Sequence, residues 1–323
     1  MIMELPKNTQ YIRKATLYAV NGDNQALDLS QLHFRFQTVQ NDEESPANCS
    51  IRVHNMSDDT LNGLKKEFNR IILNAGYENA NFGLIFDGTL KQFRIGREPD
   101  GVTNYVDLLV ADGDIAYNFA VINQTVEAGL TKKQVLAATI ASMKDYKMTG
   151  NIENFPDAGG VLPRGKVLFG MARAHVRSQV RGEGCSWSIQ NNVIQVLPLD
   201  GYLPGEAVVL SASTGLIGRV EQTAEGIRAR CLLNPKITVG GLVKIDNASI
   251  NQTLSQNPNE TGGAGQLPYN KYAGIQLLAD LSNDGLYRVY VAEYTGDTRG
   301  QDWYTELVCL KVDPVTLKVK RNG

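Results

Sequence analysis

Three histidines, His33, His54 and His175, are the side chains of this sequence best suited to moving a proton near neutral pH. A catalytic or metal-binding histidine needs companions: a nucleophile, a carboxylate, or further ligands at short fixed spacing. His33 and His54 fall in strand-like patterns, and His175 falls in a helical pattern near Ala172, Val176 and Gln179. None joins a cluster of Cys, His and Glu at ligand spacing, so packed or surface histidines are expected. No Gly-x-Ser-x-Gly elbow, Walker loop or His-Glu-x-x-His pair occurs. Two carboxylates from distant segments could still meet and do the work of a peptidoglycan hydrolase, but no pair is singled out. The sequence therefore nominates no catalytic, cofactor-binding or metal-binding residue, and no cofactor.

Asp112-Gly113-Asp114, with Asp107 upstream, has the flavour of a calcium loop. The twelve-position ligand pattern closed by a glutamate is missing, and turn chemistry accounts for the run. Arg173, Arg177 and Arg181 form an i, i+4, i+8 basic stripe. A solvated face is the plain reading; contact with an acidic partner or with passing DNA is the sharper one. No aromatic residues are interleaved there, so single-strand binding is poorly supported. Cys49, Cys185, Cys231 and Cys309 are scattered in or beside strand patterns and read as reduced, buried, small apolar residues. Asn-x-Ser/Thr triplets matter only in a secreted chain.

The elements that must position these residues follow from length and patterning. A chain of 323 residues suggests two or three domains. It is 42% hydrophobic and 20% charged, with a net charge of −2, so no global basic field points to nucleic acid or an anionic membrane. The first ten residues lack the basic and apolar regions of a secretory signal, and no run of about 18 apolar residues offers a membrane span. Residues 1–115 carry net −5, residues 116–200 net +3, and residues 201–323 balance. The breaks fall at Ala111–Asp114 and Leu197–Gly201.

In the first segment, strands are expected at Tyr11–Val20, Leu32–Val39, Asn48–Asn55, Phe82–Leu90, Phe93–Pro99 and Asn104–Ala111. Ser57 offers a helix N-cap, with Asp58 and Asp59 in the first turn. Leu61, Leu64, Phe68, Ile71 and Ile72 then follow at helical spacing until Asn74–Gly76. In the second segment Asn118–Thr125 reads as a strand, and Thr131 with Gln134 makes a capping box for a helix through Val135, Thr139, Ser142, Met143 and Tyr146. Gly159–Pro163 reads as a linker and Gly165–Val180 as a second helix ended by Gly182 and Gly184. Cys185–Gln190 and Val193–Leu197 form a hairpin through Asn191-Asn192. The third segment offers Ala207–Leu210, a hairpin over Thr214–Pro235 that turns at Ala224–Gly226 and points Arg228 and Arg230 outward, then Leu242–Asn247, Tyr287–Tyr294 and Trp303–Val312. Residues 247–271 read as a long featureless loop, and the chain from Leu317 as a loose tail.

Four stretches carry a resemblance. Asp112–Gly129 (Asp-Gly-Asp-Ile-Ala-Tyr-Asn-Phe-Ala-Val-Ile-Asn-Gln-Thr-Val-Glu-Ala-Gly), Ser186–Gln190, Thr214–Asn247 and Gly296–Leu310 make the chain resemble the baseplate hub proteins of contractile-tailed bacteriophages. The resemblance implies a fold that is mainly β with α+β: two tail-tube-like antiparallel β-barrel domains, 1–115 and 201–313, flanking a small α/β domain, 116–200, with a C-terminal tail, 314–323. It implies a non-enzymatic structural hub of a phage tail baseplate, a homotrimer whose six barrels adapt a hexameric tail tube to a trimeric central spike. Implied partners are the tail tube protein, the central spike protein, other baseplate proteins and the tape-measure protein. No membrane anchor and no direct DNA binding are expected, and the place is the virion tail after folding in the host cytoplasm. The rival readings are a nucleic-acid- or glycan-binding β-barrel module, which would need a basic, aromatic-studded strand face, and the tail-tip hydrolase.

Overall fold

The computed structural model describes residues 10–23, 25–157, 160–222, 226–245, 250–251, 285–313 and 318–319. The chain divides into two compact units: Met1–Leu199, Leu233–Lys236 and Glu293–Trp303 make the first, and Asp200–Leu232, Ile237–Ala292 and Tyr304–Gly323 the second. The fold is mainly β, built around antiparallel sheet.

Unit one starts with β1 (Arg13–Asn21), β2 (Ala26–Asp28), β3 (Phe34–Asn41), β4 (Asn48–His54), α1 (Asp58–Glu67), β5 (Phe68–Tyr77), β6 (Phe82–Arg97) and β7 (Asn104–Ala111). The strands lie in the order β2-β1-β5-β6-β7-β4-β3, every neighbour antiparallel. Alternation sets the faces. Phe34, Phe36 and Thr38 of β3 lie opposite Val53, Ile51 and Cys49 of β4, which lie opposite Val106, Leu108 and Val110 of β7, all buried. Each such apolar side chain contributes about 1.5–3 kcal/mol by leaving water. Arg35, Gln37, Ser50, Arg52 and Asp107 take the alternate positions and form a polar face.

Helix α1 begins as its sequence dictates, with Ser57 Oγ accepting from Thr60 N, but it ends at Glu67 rather than near Asn74. Phe68, Ile71 and Ile72 fit a helical face, while Ile71, Leu73 and Ala75 fit a period-two strand. Pairing with β1 and β6 decides, because as a strand this segment gains backbone partners on both sides. The break expected between Leu90 and Phe93 is a bulge inside one continuous β6, with Lys91 the extra residue against β7.

A smaller α/β body of unit one follows: α2 (Asp114–Phe119), β8 (Val121–Val126), α3 (Lys132–Ala141), β9 (Thr149–Asn151), β10 (Lys166–Met171), α4 (Ala172–Arg181), β11 (Cys185–Gln190) and β12 (Val193–Pro198). The strand expected from Asn118 gives way to α2, because Gly113 at φ +62° turns the chain and Asp114 sits where a helix dipole favours an acid. The helix expected over Gly165–Val180 is half strand. Val167 and Phe169 point out and Leu168 in, so β10 pairs with β8, and helical spacing begins only at Ala172, Val176 and Val180. The capping box of Thr131 and Gln134 is fully formed, and the helix it opens stops at Ala141. The hairpin β11–β12 turns through Asn191 and Asn192 at φ 54° and 64°, as expected. Trp187, Ile189, Ile194, Leu136, Ile140 and Val176 anchor the core of this body.

Unit two contains β13 (Val208–Leu210), β14 (Leu216–Gln222), β15 (Ile227–Leu232), β16 (Leu242–Ile245), β17 (Ile250–Asn251), β18 (Leu286–Asp297) and β19 (Trp303–Lys311); Glu293–Asp297 and Trp303 at the strand ends count with unit one, where β18 neighbours β3. The β14–β15 hairpin stands where the sequence places it, and its turn residues 223–225 lie outside the described residues. So does the expected loop 247–271, apart from β17, whose Ile250 pairs with Val220. The tail is not wholly loose: Val319 bridges Val312 and donates to Asp200 O, and Lys318 pairs with Asp200.

Gly226 packs so tightly that a Cβ would stand 1.9 Å from Cys309 O, at φ +156°. Gly226→Ala is expected to destabilise unit two by about 3 kcal/mol, measured as a lowered urea midpoint. An unchanged midpoint would show that this approach carries no constraint.

Candidate functional site

The polar face of β3 and β4 contains an arrangement that strand pairing alone would disfavour. Arg35 and Arg52 are directly opposed across the antiparallel pair, and like charges in that position repel. Carboxylates from three other elements interleave them. Asp107 on β7 takes Arg52 Nε at 2.7 Å and Nη2 at 3.0 Å; Glu98, just past β6, takes Nη1 at 3.1 Å. Asp297, at the end of β18, takes Arg35 Nε at 2.9 Å. The Arg52 guanidinium also lies 3.8 Å from the ring centre of Tyr105, which in turn covers Gly96, where a Cβ would meet the Tyr105 ring at 2.5 Å. The hydrogen bonds Arg52 donates to Asp107 push its pKa up, against a smaller opposing effect of burial. The recess beside these groups has a volume of about 300 Å³ and is lined by Arg35, Gln37, Ser50, Arg52, Asp107, Thr295, Asp297 and Asp302, with Phe36 and Gly296.

Two of the three histidines meet at the end of this face. His33 Nε2 lies 2.8 Å from Asp297 Oδ1, and the His33 ring stacks on His54 with centroids 4.4 Å apart and planes 15° apart. Burial works to raise the Asp297 pKa, but hydrogen bonds from Arg299 N, His33 and Gly300 N hold it below the usual carboxylate range. Burial, reinforced by His33 and Arg35, holds His54 below the usual histidine value. No hydroxyl or thiol among the described residues hydrogen-bonds either imidazole. The cluster is built to hold strands and a turn together, since His33, Arg35 and Arg52 each meet a carboxylate from another segment.

The other residues marked in the sequence are dispersed. His175 Nε2 lies 3.0 Å from Phe169 O. Asp107, Asp112 and Asp114 do not converge as calcium ligands would: they engage Arg52, the Asn191–Asn192 turn and Lys91 respectively. Among the described residues no three His, Cys, Asp or Glu side chains are placed to hold a metal. The arginine stripe on α4 has partners inside the chain. Arg177 and Arg181 both bond Glu44, and Arg173 bonds Tyr117 O and Asn118 while lying over the Tyr117 ring. All four cysteines are buried and outside any disulfide; burial raises Cys49 and Cys231 to about 12. In unit two Arg228 and Arg230 point outward as expected, and Arg230 pairs with Glu306.

Sequence reasoning missed Asp297, Glu98 and the histidine stack, because only strand register brings these segments together. It marked Asp112 as turn chemistry but missed that it is fully buried. Asp112 accepts from Asn191 N and, at 2.7 Å, from Asn192 N, while Asn191 Oδ1 accepts from Asp87 N. Burial raises its pKa to about 7, although the two backbone hydrogen bonds pull the other way.

No protein-family model matches the sequence, and no curated protein matches it. Solved structures do. A tail protein from Neisseria meningitidis MC58 superposes with a TM-score of 0.54 at 10% identity, covering 97% of this chain and 98% of that one. The 43 kDa tail protein of prophage MuSo2 from Shewanella oneidensis gives 0.54 at 7% identity over 93% and 98%. The fold is that of phage tail proteins. The E. coli c3393 protein, a type VI secretion component described as structurally similar to the T4 tail proteins gp27 and gp5, shares the tail-protein fold with a TM-score of 0.53 at 8% identity, over 90% of this chain and 76% of that one.

Asp112 sets a pH dependence. A folded-state pKa of about 7, above the unfolded value of 3.8, means that the folded chain binds the extra proton between these limits. Its stabilising contribution is complete below about 4 and is lost as pH rises through about 7. Relative to Asp112→Asn, the wild type is expected to lose thermal stability across that window and to stay level above it. An opposite slope would overturn the assignment.

Proposed function

We infer that this chain is a structural component of a phage tail, the hub of a baseplate. The observation that carries the reading is end-to-end likeness: the fold matches tail proteins over nearly the full length of both chains, with no large part left over on either side. Supporting it, the arginine stripe and the charged face are satisfied within the chain, which weakens the case for a nucleic-acid module. In this reading residues 1–115 and 201–313 are the two tube-like domains and 116–200 is the inserted α/β domain. Three copies close a ring whose six similar domains meet a hexameric tail tube on one side and a trimeric central spike on the other, reconciling the two symmetries without a new fold. Other baseplate proteins and the tape-measure protein are the remaining partners. The chain works in the virion tail, after assembly in the host cytoplasm, and performs no hydrolysis itself.

Light scattering on the purified chain is expected to give three times the monomer mass, and averaged electron micrographs a threefold ring with a central channel. A monomer that binds oligonucleotide would replace the hub reading by the barrel-module one. A muramidase assay on the same sample is expected to show no clearing; clearing abolished by a single carboxylate substitution would make the chain a hydrolase.

A further inference from the structure

Strand parity puts His54 on the polar face of β4, in line with Ser50 and Arg52, yet it is only 3% exposed. Its cover is the stacked ring of His33. Neither His54 ring nitrogen has a hydrogen-bond partner among the described residues. The groups facing it are His33 ahead of β3, Arg35 on β3, Arg52 on its own strand and Glu98 beyond β6, with Tyr105 its cross-strand neighbour on β7. The nearest carboxylate oxygen, Glu98 Oε1, is 3.9 Å from Nδ1, outside hydrogen-bond reach, and is already engaged by Arg52 Nη1. His33, by contrast, meets Asp297. His33 therefore has a carboxylate within hydrogen-bond reach, and His54 has none among the described residues.

The same Asp297 organises the polar turn between β18 and β19. Its Oδ1 accepts from Arg299 N at 2.9 Å and Gly300 N at 2.7 Å, and Thr298 exchanges hydrogen bonds with Phe34 at the start of β3. We propose that the His33–His54 stack is a proton-operated latch on this turn: a second proton taken from solvent drives the two rings apart, and His33 leaves with the turn around Asp297, freeing it from the start of β3. Two parallel imidazolium rings at stacking distance repel. The closed latch therefore takes the second proton poorly, while an opened His54 in water takes it at the ordinary value of about 6.5. Because the closed-state pKa is depressed, closure is favoured above about 6.5 and lost as pH falls. The opening equilibrium grows about tenfold per pH unit until the closed-state pKa is reached.

Hydrogen exchange on the intact protein from pH 8 to pH 5, corrected for intrinsic rates, tests the latch. Protection at the Thr298 and Phe34 amides, which hydrogen-bond across the latch, is expected to fall about tenfold for each pH unit below about 6.5, while amides of β5 keep theirs. A local readout is needed because Asp112 moves global stability the other way over part of this range. In His54→Gln the turn is expected to stay protected at pH 5. Should that variant fail to fold, histidine-selective NMR of the wild type decides: the chain has three histidines, and His54 should titrate in the window where turn protection is lost. Constant protection at Thr298 and Phe34, or an equal fall in His54→Gln, would overturn the proposal.

Discussion

Two arginines facing each other across β3 and β4 impose the constraint around which one face of unit one is arranged. Left alone, Arg35 and Arg52 would push their strands apart. The remedy draws on distant sequence: Asp107 from β7, Glu98 beyond β6 and Asp297 from β18. The gain from each pair is modest where water reaches it, and removing one carboxylate leaves a repulsion behind as well as a lost bond. The cluster therefore favours one register and one strand order over the alternatives, which is specificity more than stability. It also ties the turn after β18 to the start of β3, far apart in the chain.

The small α/β body of unit one depends on a different device. Its hairpin turn offers two backbone N–H groups that would otherwise be buried without partners, and Asp112 receives both. Asp42 with Ser186, Asn41 with Gln190, and Glu44 with Arg177 and Arg181 extend the same seam in polar terms. A seam made of hydrogen bonds has directional demands that an apolar one lacks, and this fits a part that must hold a defined attitude within unit one.

Much of the architecture was legible from residue types. Capping chemistry announced α1 and α3, paired asparagines announced the β11–β12 turn, and alternation announced β3, β4, β7, β15 and β19. The misreadings share a cause. Around Phe68–Ile72 and Gly165–Met171 the apolar residues satisfy both periods, and only sheet partners from elsewhere choose between them. Of the candidate site, His33, His54 and Asp107 were visible as residues but not as a cluster. His54 sits at a strand position whose parity says exposed, and it is buried by a ring from another segment. The arginine stripe on α4 was read as a solvated face; its acid, Glu44, could not be found without the fold.

The junction between α1 and β5 contains no linking residue: Glu67 closes the helix and Phe68 opens the strand. A helix advances 100° per residue and a strand inverts its side chains with every residue. One inserted or deleted residue at this point would therefore swing the apolar side of α1, with Leu61 and Leu64, away from its seat, or turn Ile71, Leu73 and Ala75 from the core to the opposite face. No intermediate segment exists to absorb the phase error. Length variation among descendants of this chain should thus be tolerated at turns such as Asp100–Gly101 and forbidden at Glu67–Phe68, an evolutionary silence written into the backbone rather than into any side chain.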